Sequence, residues 1–80
     1  MRVVMRGHPR ERAGERNFTL ADVEEVIANY TYSTSSKRGD ATVVFGTPRG
    51  DGDVLKVVLL GDPPRTDPYI VKTAAWRDQE

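Results

Sequence analysis

The chain has no cysteine and a single histidine, His8, among its 80 residues. That excludes a disulfide framework and a thiolate metal centre, and one imidazole with scattered carboxylates makes a poor zinc site. No metal and no cofactor are expected. No apolar run approaches the ~18 residues of a membrane span. The arginine-containing N-terminus does not read as a signal peptide. A soluble, cytoplasmic protein with no membrane partner is therefore expected. Hydrophobic residues are 38% of the chain and mean hydropathy is −0.55. The core must be small, and a single domain is expected over residues 1–80, with a polar tail at 77–80. Net charge is zero, which argues against coating nucleic acid by bulk electrostatics.

What is present is a charge pattern. Residues 1–18 hold five arginines against two glutamates, and residues 20–30 hold Asp22, Glu24 and Glu25 with no base. His8, Arg12 and Arg16 recur every fourth residue, so on a helix they share a face. Two guanidinium forks and an imidazole on one stripe suit a phosphate. Glu11 and Glu15 are interleaved, so an ordinary mixed-charge surface helix, with Arg12 paired to Glu15, is the competing reading.

Along the chain, Arg2-Val3-Val4-Met5-Arg6 reads as a first strand closed by Gly7. Pro9 fits the first position of a helix running to about Arg16. Thr19 then caps a second helix, about 20–29. Asp22 stands three residues after the cap, and Phe18 is placed to staple against Val23. Leu20, Val23, Val26, Ile27 and Tyr30 follow helical spacing. From Tyr30 the period becomes two. Strands are expected over 30–35, 41–45, 54–60 and 69–75, with 54–60 the most apolar and so central. Trp76 is left near the edge. Short turns between the later strands predict an antiparallel meander.

Several motifs carry little. Arg38-Gly39-Asp40 spells an integrin tripeptide but reads as a turn. Asp51-Gly52-Asp53 lacks the glutamate a calcium loop needs. Gly46–Gly52 is glycine-rich yet opens no helix, so it is not a phosphate loop. Lys56 and Lys72 interrupt apolar strands, either emerging on one face or marking the solvent side of a half-covered sheet. Thr73 points away from Lys72 unless a bulge intervenes. Tyr30 and Tyr32 share a face suited to stacking on a base or to core packing.

A helix, a capped helix and a meander, with His8-x-x-x-Arg12-x-x-x-Arg16 on the first helix, resemble the RelE/ParE superfamily of small domains of the BrnT kind. Their relatives continue with a short Ile/Phe-Thr link and Asp-Val-Glu, here Phe18-Thr19 and Asp22-Val23-Glu24. They close with Leu-Lys-Val-Val and Val-x-Thr-Ala strands, here Leu55–Val58 and Val71–Ala74. The similarity covers about residues 6–77. It implies an α+β domain in which a short N-terminal strand and two N-terminal helices accompany a three- to four-stranded antiparallel meander sheet, the helices packed on the sheet. It also implies a metal-independent endoribonuclease toxin acting on RNA and paired with an antitoxin. His8 would exchange protons, and Arg12 and Arg16 would stabilise the phosphorane. Lys56, Lys72, Thr73 and Arg77 would bind substrate. Neutral charge departs from the basic toxins. It favours the alternative, a non-catalytic module that binds a partner protein or a nucleic acid. The patch of Asp22, Glu24 and Glu25 would then meet a basic partner. An exposed final strand would offer a route to a homodimer.

Overall fold

A computed structural model of the chain describes residues 2–5 and 17–77. Five strands form one sheet: β1 (Val3–Met5), β2 (Tyr32–Ser35), β3 (Ala41–Gly46), β4 (Leu55–Leu60) and β5 (Tyr69–Trp76). The order across the sheet is β1-β5-β4-β3-β2. From β2 to β5 it is an antiparallel meander, as the short turns predict, and β4 lies in the middle. The surprise is β1, which pairs parallel with β5. The expected sheet of three or four strands beneath two helices is therefore replaced by a mixed five-stranded sheet. Among the described residues it carries one helix. The helix expected from Pro9 to Arg16 lies outside the described residues. Because β1 covers β5, the final strand is not an edge, and the proposed route to a dimer through it closes.

That one helix, α1 (Leu20–Asn29), starts where its cap predicts. The Asp22 N–H donates to the Thr19 hydroxyl at 3.2 Å, and the Thr19 N–H donates back to the Asp22 carboxylate at 3.0 Å. Val23, Val26 and Ile27 are buried against one face of the sheet with Phe18, Val44, Leu55, Val57, Leu59, Val71, Ala74 and Trp76. The other two members of the expected stripe, Leu20 and Tyr30, are exposed. They fall at the two ends of a ten-residue helix, past the sheet it covers.

Strand alternation sorts the rest. In β4 the odd residues Leu55, Val57 and Leu59 are buried under α1, and Lys56, Val58 and Leu60 are half-buried on the opposite face. The register with β5 slips between Val58, paired with Thr73, and Leu59, paired with Val71. Lys72 is the extra residue of this β-bulge. The bulge lets Val71 and Ala74, three apart, both face the core.

Candidate nucleic-acid interface

The three proposed catalytic residues, His8, Arg12 and Arg16, lie outside the described residues. Of the proposed substrate-binding set, Lys56 and Thr73 stand on the face away from α1, opposite Ala75 and Val58 respectively. Lys72 is displaced by the bulge, and its amine approaches the Asp40 carboxylate at 4.0 Å on the surface. It lies toward the other end of the ladder from Lys56, so the two lysines do not make a joint site. Asp40 is held below the usual carboxylate range chiefly by the Ser36 hydroxyl, with Lys72 assisting.

The sheet gathers a row of side chains on the face away from α1, over which no described element lies. Tyr32, Phe45, Lys56 and Ala75 are successive partners across β2, β3, β4 and β5. Arg77 follows Ala75 on the same side, its N–H fixed to the Val54 carbonyl at 2.8 Å. Thr31, Tyr32, Phe45, Val54 and Arg77 line a cleft of about 350 Å³. A smaller hollow lined by Gly52, Asp53, Val54 and Arg77 adjoins it. The Tyr32 and Phe45 rings are 5.7 Å apart at 47°, and Tyr32 is 60% exposed. Among the described residues no carboxylate comes within ion-pair distance of Arg77.

The best-built charged cluster lies elsewhere, at the start of α1. Arg49 grips both Asp22 oxygens, at 2.8 and 3.4 Å, and donates to the Asn17 carbonyl at 2.9 Å. Its guanidinium also stacks on Trp76, 4.8 Å from the ring centroid. Hydrogen bonding from Arg49 holds the Asp22 carboxyl below its ordinary range against the opposing effect of burial. The partners of Arg49, namely Asp22, Asn17 and Trp76, all lie within the chain, so the cluster serves the fold. It also corrects two expectations. Trp76 is buried within β5 rather than left at an edge. Asp22 is buried and paired, so the proposed acidic docking patch loses its first member.

Sequence reasoning singled out Tyr32 and Arg77 separately but missed Phe45, Val54 and their assembly into one cleft. The available signal was parity: Phe45 and Lys56 are polar-face positions of neighbouring strands, but their register is fixed only by the turn between them. Among the described residues no group of histidines and carboxylates could hold a metal ion. No described helix is long and apolar enough to cross a membrane. Comparison with protein-family models, with curated proteins and with solved structures gave no match.

Proposed function

We propose that the protein is a non-catalytic interaction module that binds single-stranded RNA at the cleft on the face of its sheet away from α1. The observation that carries this reading is the cleft in which Arg77, with no ion pair among the described residues, shares walls with the rings of Tyr32 and Phe45. An exposed ring offers a stacking platform for a base, and stacking of this kind contributes about 1–3 kcal/mol per base. Arg77 beside it supplies a charged fork for the adjoining phosphate. The cleft is at the small end of ligand sites, which fits one nucleotide rather than a long tract. Bases in a duplex are stacked inward and cannot reach such a platform, so the ligand is a single strand.

Titration of a labelled single-stranded RNA by fluorescence anisotropy tests this. Tyr32→Ala and Arg77→Ala should each weaken binding about tenfold or more, and duplex RNA should bind less well than the single strand. No binding by the wild type, or variants that both bind as tightly as the wild type, would overturn the reading. Electrophoresis of the same RNA after incubation tests for cleavage. Cleavage by the wild type that His8→Ala abolishes would replace the binding module with the ribonuclease that the resemblance implies.

A further inference from the structure

We infer that β2 pairs antiparallel with β2 of a second copy, about a two-fold axis at Thr34. Among the described residues the strand is one edge of the sheet, and all four of its residues, Tyr32-Ser33-Thr34-Ser35, are exposed. Edge strands present unpaired N–H and C=O groups, and proteins commonly guard them with proline or charge. This strand contains neither.

The backbone groups that point away from β3 are arranged for self-pairing. The Ser36 N–H donates to the Ala41 carbonyl at 2.9 Å. Antiparallel alternation then makes Thr34–Val43 the next bonded pair, and beyond it the Phe45 carbonyl accepts from the Thr31 N–H at 2.9 Å. The N–H and C=O of Ser33 and Ser35 consequently point away from β3. An axis at Thr34 sets Ser33 of each copy against Ser35 of the other, so all of these groups pair at once. Thr34 faces its counterpart, a favourable cross-strand combination.

The flanks are complementary as well. Lys37 and Arg38 follow β2 and are exposed. Before β2 lie Tyr30, 51% exposed, and the C-terminal end of α1, which has no basic residue in its last turn. The helix end carries partial negative charge, and Glu25 on the same helix is exposed. Antiparallel pairing runs Lys37 and Arg38 of one copy past Tyr30 and the helix end of the other, where a cation meets both a ring and a negative pole. Tyr30 and Tyr32 are two of the three exposed large hydrophobics among the described residues, and both gain neighbours. A two-fold normal to the sheet leaves the faces away from α1 on one side in both copies, so the two clefts share one side of the dimer.

Analytical ultracentrifugation of the full chain tests the pairing, and it does so whether or not RNA binds. The wild type should sediment as a concentration-dependent dimer. Thr34→Lys and Thr34→Asp, each placing like charges directly opposite, should sediment as monomers, and an equimolar mixture should recover the dimer. Ser33→Pro should also give a monomer, since it removes an outward N–H while sparing the ladder to β3. Circular dichroism separates loss of pairing from loss of folding. A wild type that stays monomeric at every concentration, or a dimer that survives folded Thr34→Lys, overturns the proposal. So does a Thr34→Lys and Thr34→Asp mixture that remains monomeric.

Discussion

Single residues carry much of the anchoring in so small a chain. Asp22 completes the capping box of α1, binds Arg49 and is itself buried. Its carboxyl is pulled below its ordinary value of 3.8, chiefly by the Arg49 hydrogen bond. A group whose pKa is lower in the folded than in the unfolded chain contributes stability above the unfolded pKa. That contribution is lost as pH falls through the folded pKa. Thermal melts should therefore show wild-type stability falling as pH drops below 3.8, and Asp22→Asn should have a flatter acid limb. Parallel acid limbs would show that Asp22 does not titrate in this way. At neutral pH the same substitution should cost about 1 kcal/mol, a modest figure because Arg49 is partly exposed to solvent. Gly61 makes a second point. Its φ is +91°, and a Cβ there would lie 3.0 Å from the Pro63 carbonyl oxygen. Gly61→Ala should lower stability by about 1–3 kcal/mol in chemical denaturation, and an unchanged midpoint would contradict that strain.

At the scale of elements, β4 organises the molecule because it touches strands on both sides and α1 on one face. Its two faces differ sharply in burial, and a pair of neighbouring leucines reads out that difference. Leu59 is buried under α1, while Leu60 is half-buried on the opposite face. Leu59→Ala should cost about 2–5 kcal/mol through lost transfer energy and a residual cavity. Leu60→Ala should cost less, because water already reaches that side chain. Urea unfolding of the two variants checks the ordering, and equal losses would mean that the face away from α1 is as well covered as the other. The bulge at Lys72 has a comparable role in β5. It shifts the alternation by one residue, so that Val71, Ala74 and Trp76 all reach the core.

The whole molecule is a sheet with a helix on one face and, among the described residues, no element over the other. Its net charge of zero constrains what that second face can bind. On the proposed reading, Arg77 in the cleft and Lys56 in the same row would supply at most two phosphate contacts. Each contact to a single strand contributes a slope of about −0.7 in log affinity against log salt. The slope for RNA should therefore lie between about −0.7 and −1.4, with Arg77→Ala reducing it by about 0.7. A steep slope would point to a different, more basic surface than this cleft.

Local signals in the sequence determined the elements whose cause is local. Thr19 and Asp22 placed the start of α1, because a capping box needs only residues three apart. The period-two runs placed the later strands to within a residue or two, and the most apolar run proved central. Turn lengths determined the meander, since short connections leave neighbouring strands little choice but to pair antiparallel. What only the tertiary structure decided is where distant segments meet. The pairing of Val3–Met5 with Tyr69–Val71 spans almost the whole chain, and no local pattern encodes a parallel partner. Arg49 finds Asp22 and Trp76 through the same long-range closure, although in the sequence it is one arginine in a glycine-rich turn. The cleft belongs to this second class: Tyr32, Phe45 and Arg77 share a wall because sheet register aligned them, and register is a property of paired strands rather than of any one of them.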